Sequence, residues 1–376
     1  MIYELLFPLS KKFGWAGALN VLRYVPFRAI LATITAMVLC FLLAPWFIRE
    51  LQKKQIGQVV RSDGPETHQI KAGTPTMGGA LILLGVLLPT VMWADVRNAF
   101  VIATAFVTAG YGAIGYIDDR LKIQRKSSRG LPGRYKLLGQ IAIGSAAVGY
   151  SFLDVSALPP SWIEIRTRLS VPFLAFAKHP IELPLWVYVV FAVFVVVATS
   201  NAVNLTDGLD GLAIGPVMIN AATYTILAYV AGLVLFGRSM AAYLGIPGTL
   251  EMGELAVYGA SVVGAGVGFL WYNTYPAQVF MGDVGSLSLG GAIGTVAVLV
   301  KQEILLVFIG GVFVIEALSV ILQVGSYKLR GKRIFRMAPL HHHFEAMGWQ
   351  ESKIIARFWI AGLVLAVFSL ATLKLR

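Results

Sequence analysis

The chain alternates long apolar runs with short polar connections. Runs of spanning length, roughly 17 to 25 residues for a membrane helix, cover 29–48, 76–93, 99–117, 137–153, 183–203, 212–237, 255–272, 284–300, 304–324 and 354–373. Ten transmembrane helices are therefore predicted. The polar clusters are HQIKAGTPT at 68–76, DDRLK at 118–122, NAVNLTDGLDG at 201–211, NTYPAQVFMGD at 273–283 and APLHHHFE at 338–345. All five lie in connections of the same parity, so the pattern puts them on one face of a membrane. The two shortest runs, 137–153 and 284–300, decide that parity.

Outside the runs, residues 1–20 lack the basic start, apolar middle and small-residue cleavage site of a signal peptide and are expected to form an interfacial helix. The stretch 154–182 carries Pro159, Pro160, Pro172 and Pro180 beside alternating pieces such as WIEIRTRL, which predicts a small extracytoplasmic hairpin. No internal repeat is visible, which argues against an inverted-repeat transporter. The expectation is an all-α polytopic membrane protein, 1–376 forming a single integral membrane domain.

Composition agrees, with 57% hydrophobic and only 13% charged residues. Lys and Arg are concentrated after the first, third and ninth helices, which hold 5, 7 and 6 of them. Basic connections stay in the cytoplasm, so the polar clusters are expected there and both termini outside. Lys11, Lys12 and Arg23 oppose this mildly. The net charge of +12 suits contact with anionic membrane lipids and would also draw phosphate-bearing substrates. No nucleic-acid partner is expected. Cys40 is the single cysteine, which excludes an internal disulfide.

The acidic residues among these bases carry the candidate chemistry. Asp118 and Asp119 end the third helix, where carboxylates oppose the helix dipole and repel each other unless a cation compensates. Arg120, Lys122, Arg125 and Lys126 could compensate in an ordinary charged helix end; the alternative is a divalent ion or a substrate proton. Asn201, Asn204, Asp207 and Asp210 leave an apolar helix at steps of three, with Gly208 and Gly211 allowing tight turns. An Asx-rich cap and turn is the competing reading, and the spacing excludes an EF-hand. Asp283, between glycines at the mouth of the eighth helix, could simply be a helix N-cap. His341, His342 and His343 cannot all point one way, so one or two are expected to reach the site. Zinc is disfavoured because thiolates and suitably spaced partners are missing. Glu316 lies mid-helix in the ninth span, where an ionisable group suggests function but equally suits a kink or a helix-packing hydrogen bond.

Together the segments KAGTPTMGG at 71–79, GYIDDRLKI at 115–123, SSRGLPGRYK at 127–136, NLTDGLDGL at 204–212, FMGDVGSLSLG at 280–290 and MAPLHHHFE at 337–345 resemble the polyprenyl-phosphate N-acetylhexosamine-1-phosphate transferases. The histidine segment favours the muramoyl-pentapeptide branch over the GlcNAc-phosphate branch. The resemblance implies an enzyme of the bacterial cytoplasmic membrane, acting in peptidoglycan synthesis and hence in cell shape and division. It implies Mg²⁺-dependent transfer of phospho-MurNAc-pentapeptide from UDP-MurNAc-pentapeptide to undecaprenyl phosphate, giving lipid I and UMP. It also implies a homodimer.

By the same analogy, Asp283 and Asp118 would hold the metal, and Asp118 would otherwise take the acceptor's proton, with Asp119 supporting it. Lys71, Thr76, Lys122 and Lys136 would line the phosphate region. Asn204, Asp207, Asp210, Asn273 and Phe280 would serve the uridine or sugar end, Phe280 offering a stacking face, with His341, His342 and His343 completing the substrate site. Three other readings compete. A UDP-GlcNAc enzyme of the same family would differ in donor. An ion-coupled transporter would place its ionisable groups mid-membrane rather than at helix ends. A scaffold would not need this many carboxylates and histidines on one face.

Overall fold

The computed structural model describes residues 2–12, 14–53, 73–125, 127, 130–154, 158–179 and 181–374. In chain order the helices are α1 (Ile2–Lys12), α2 (Val25–Lys53), α3 (Gly79–Trp93), α4 (Ala99–Gln124), α5 (Gly133–Leu153) and α6 (Pro160–Ile165). After the strands β1 (Arg168–Leu169) and β2 (Ile181–Glu182) come α7 (Leu185–Thr206) and α8 (Ile214–Gly232). The strands β3 (Val234–Leu235) and β4 (Arg238–Ser239) then lead to α9 (Met240–Leu244), α10 (Leu255–Asn273), α11 (Gly282–Leu299) and α12 (Leu306–Ile309). The chain ends with α13 (Gly311–Arg330), α14 (Leu340–Glu345) and α15 (Glu351–Ala371). The protein is an all-α polytopic membrane protein.

Each of the ten predicted runs contains a helix. Among the described residues eight are long and apolar enough to cross a membrane; Gly79–Trp93 is shorter, and α5 falls outside that set. Two runs are divided. The run 212–237 ends as α8 and a two-residue ribbon, β3 paired antiparallel with β4. The run 304–324 breaks at Gly310 into α12 and α13. In the 154–182 stretch, β1 pairs with β2 through Arg168 opposite Glu182, a smaller hairpin than the alternation suggests. The WIEI segment is helical instead, because Pro159 and Pro160 stand at a helix start, where proline costs no hydrogen bond.

α11 is the axis of the fold, and every residue from Val284 to Leu299 is buried. Small residues let its neighbours approach its backbone. A Cβ on Gly79 would stand 2.0 Å from the Gly285 nitrogen, and one on Gly115 would stand 2.2 Å from the Asp283 carbonyl oxygen. These two contacts hold α3 and α4 against the first turn of α11. The carboxylates that follow Gly115 on α4 are thereby fixed beside Asp283.

The other end of the bundle is closed by buried charge. Arg28 of α2 forks onto Glu254 at 2.7 and 2.5 Å and also donates to the Trp93 carbonyl at 3.1 Å, a bidentate geometry that fixes orientation as well as contact. Lys301, after α11, donates to the Arg166 carbonyl at 2.9 Å, lies 3.2 Å from Glu303 and covers the Tyr188 ring at 3.6 Å. Tyr188 in turn donates to Glu303. Burial lowers the Lys301 ammonium to about 8, against the pull of Glu303.

Candidate active site

α4 continues past its apolar run to Gln124, so Asp118 and Lys122 stand four residues apart on one helical face. The Lys122 ammonium lies 2.6 Å from Asp118 Oδ2, 3.0 Å from Asp283 Oδ2 and 3.4 Å from Asp119 Oδ1. The start of α5 contributes Lys136, 2.7 Å from Asp283 Oδ2 and 3.6 Å from Asp118 Oδ2. Lys122 and Lys136 thus compensate the carboxylates, whereas the Arg125 guanidinium reaches the Gly130 carbonyl at 3.5 Å. Lys126 lies outside the described residues.

Backbone donors fix the carboxylates. Asp118 and Asp119 are buried at 2% and 3% exposure; the Leu131 amide donates to Asp118 at 2.7 Å and the Val284 amide to Asp119 at 3.3 Å. Asp283 does not cap its helix but lies in the first turn of α11, where the helix dipole favours negative charge. Asn204 donates to Asp283 Oδ1 and to Ser286 Oγ, both at 2.8 Å. Thr76 is buried; a Cβ on Gly282 would meet its hydroxyl at 3.0 Å and Asp119 at 2.6 Å. Lys71 lies outside the described residues.

Oxygens of Asp118, Asp119 and Asp283 lie within 4.8 Å of one another. Three carboxylates face two ammonium groups, which leaves one unit of negative charge when all are ionised. An all-oxygen donor set of this kind suits Mg²⁺, which prefers carboxylate and phosphate oxygens. The Lys122 ammonium, in contact with all three, marks where a cation is stabilised. The residues present therefore fit a divalent ion.

The loop after α7 extends the site. Asp207 follows the helix end, and burial raises its carboxyl well above the ordinary range, with further upward pushes from Asp283, Asp119 and Asp210. Asp210 and Asn273 tie neighbouring loops together: the Ala277 amide donates to Asp210 at 2.9 Å, the Gly211 amide to Asn273 at 3.0 Å, and Asn273 donates to the Val279 carbonyl at 2.8 Å. Phe280 is half-buried, its amide donating to the Pro75 carbonyl and its carbonyl accepting from Gly78, each at 2.8 Å.

The three histidines separate in function of position. His341 is buried against Gly208 and pairs with Glu316 at 3.1 Å. His342 pairs with Glu345 at 2.5 Å, and His343 accepts from the Arg336 amide at 3.1 Å. Glu316 therefore makes the packing hydrogen bond; the helix break is at Gly310, away from it. Ser286 and the Leu131 amide join the site without being among the residues expected from the sequence. Ser286 stood within the FMGDVGSLSLG segment, but a backbone donor gives no residue-type signal.

Comparison with known proteins adds an independent line. Residues 101–301 match glycosyl transferase family 4, and residues 71–83 match signature 1 of the phospho-N-acetylmuramoyl-pentapeptide-transferases. The chain is 69% identical to the phospho-N-acetylmuramoyl-pentapeptide-transferase of Sorangium cellulosum over 376 residues, covering 100% of both chains. It is 53% identical to that of Pelobacter propionicus and 50% identical to that of Solibacter usitatus, again covering 100% of each chain.

Proposed function

This chain belongs to the phospho-N-acetylmuramoyl-pentapeptide-transferase family and is a transferase, and on that premise we propose that it transfers phospho-MurNAc-pentapeptide from UDP-MurNAc-pentapeptide to undecaprenyl phosphate. The products are lipid I and UMP. The observation that carries the reading is the convergence of Asp118, Asp119, Asp283, Lys122 and Lys136 at the ends of apolar helices. A water-soluble nucleotide sugar and a phosphate on a hydrocarbon chain can meet only at such a boundary. The site then lies on the cytoplasmic face of the bacterial inner membrane, with both termini outside.

Phosphoryl transfer asks the protein to position reactants and neutralise charge. Asp283 and Asp118, with Asp119 beside them, would hold Mg²⁺, which when bound neutralises charge on the diphosphate. Lys122 and Lys136, now paired with carboxylates, would turn to phosphate oxygens, with Lys71 and Thr76 completing that region. Where it does not hold the metal, Asp118 would instead take any proton remaining on the acceptor phosphate. An acceptor oxygen attacks the phosphorus bearing the sugar, the bond from that phosphorus to the UMP oxygen breaks, and UMP leaves with the electron pair. Direct attack is favoured over a covalent Asp intermediate because the acceptor is already an anion and needs only alignment. Asn204, Asp207 and Phe280 would face the nucleotide or sugar, with Asp210 and Asn273 holding their loops in register.

The test is to offer purified enzyme radiolabelled UDP-MurNAc-pentapeptide or UDP-GlcNAc with undecaprenyl phosphate and to extract lipid. Label is expected in lipid from the muramoyl donor alone. Label from UDP-GlcNAc alone would assign the other branch of the fold.

A further inference from the structure

Glu316 is fully buried in the second turn of α13, in a membrane-spanning segment where an ionisable group is costly. Both of its carboxylate oxygens serve one residue. Oε1 accepts the His341 amide at 3.1 Å, and Oε2 stands 3.1 Å from His341 Nδ1. An ionised carboxylate can only accept. A neutral imidazole against it must therefore carry its proton on Nδ1 and leave a lone pair on Nε2.

That Nε2 is buried and meets no hydrogen-bond donor. It faces Gly208, where a Cβ would stand 2.2 Å away. Gly208 presents no side chain to the atom, and any Cβ at 208 would drive the ring out. Gly208 adjoins Asp207 in the loop that follows α7, and the last turn of that helix brings Asn204 to Asp283. A buried acceptor left unmet is costly, so the arrangement calls for a donor supplied from outside the chain.

We propose that Glu316 is a positioning residue for the transfer: it locks His341 in the Nδ1–H form, so that Nε2 accepts a hydrogen bond from a hydroxyl or N–H group of the nucleotide sugar bound beside Gly208. The proposal rests on reading this site as a nucleotide-sugar site. The same logic explains why a carboxylate, rather than an amide, occupies the position. Glutamine has one acceptor oxygen and one amino donor. With its oxygen on the His341 amide, it would donate to Nδ1 and send the ring proton to Nε2, reversing the polarity offered to the ligand.

The experiment is nitrogen NMR of ¹⁵N-histidine-labelled full-length enzyme in detergent, with His341 assigned by loss of its signals in His341→Gln. Wild type is expected to show a protonated Nδ1, a bare Nε2, and a shift of the Nε2 signal when UDP-MurNAc-pentapeptide is added. Glu316→Gln is expected to reverse the two nitrogens and to raise KM for the donor about tenfold, the factor of one lost hydrogen bond, with kcat changed less. A wild-type ring protonated on Nε2, an Nε2 signal that ignores the donor, or a reversed ring with unchanged KM would each overturn the proposal. The wild-type spectra decide the matter even where Glu316→Gln does not fold. Absence of any transfer by wild type would instead refute the functional reading, leaving the tautomer measurement intact.

Discussion

Asp283→Ala removes the residue on which the site converges. Its carboxylate meets Lys136 at 2.7 Å, Lys122 at 3.0 Å and the Asn204 side-chain nitrogen at 2.8 Å. Loss of one preorganised electrostatic group at a reacting centre costs roughly 2.7–4 kcal/mol of transition-state stabilisation. At about 1.4 kcal/mol per decade, that is about 100- to 1000-fold in kcat. Loss of a metal-holding oxygen adds to it, so turnover should fall at least about 1000-fold. Stability should change far less. The lost ammonium contacts are offset by relief of repulsion from Asp118 and Asp119, and Lys122 is partly exposed, which weakens its pairings. UMP release measured beside a thermal melt in detergent separates the two effects. Turnover within tenfold of wild type would refute the central place given to Asp283.

Asp118→Asn is expected to cost more turnover than Asp119→Asn, about 100-fold against about tenfold, because Asp118 faces both ammonium groups whereas Asp119 faces Lys122 alone; UMP release by the two variants in the reverse order would exchange their roles. Asp207, raised by burial and neighbouring carboxylates, should favour the folded chain fully below its unfolded value near 4 and lose that contribution as pH rises through the folded value. In metal-free detergent the melting advantage of Asp207→Asn over wild type should therefore grow with rising pH, and an advantage that shrinks would contradict the assignment. Gly79→Ala forces a Cβ to 2.0 Å from the Gly285 nitrogen, and overpacking of this kind costs typically 1–3 kcal/mol or more. An unchanged melting temperature in that variant would show that α3 does not rest on α11 as described.

Much of this was legible because hydropathy is a strong signal in a membrane chain. Every apolar run contains a helix, since a span must satisfy its backbone internally. Ends were less legible, because hydropathy falls at Ile117 while hydrogen bonding carries α4 through Asp118, Asp119 and Lys122 to Gln124. That continuation sets Lys122 under Asp118. The alternation in WIEIRTRL misled because two prolines at a helix start outweighed it. The acidic residues of the site announced themselves by standing in apolar surroundings. Their partners did not: Lys136 stood out only through the family resemblance and not by any local pattern, and the Leu131 amide has no side-chain signature. The pairing of Glu316 with His341 spans 25 residues of sequence and depends on a loop returning to the helix, which no local pattern specifies. The charge cluster of Arg28 and Glu254 was hidden for the same reason.

In the proposed reaction, carboxylates gathered at one end of the bundle serve a metal-dependent transfer of the phospho-sugar from nucleotide to lipid. UMP release from UDP-MurNAc-pentapeptide, measured with Mg²⁺ and undecaprenyl phosphate each present or withheld, tests it most directly. Release is predicted only when both are present. Equal release after chelation of divalent ions, or without the lipid acceptor, would contradict it.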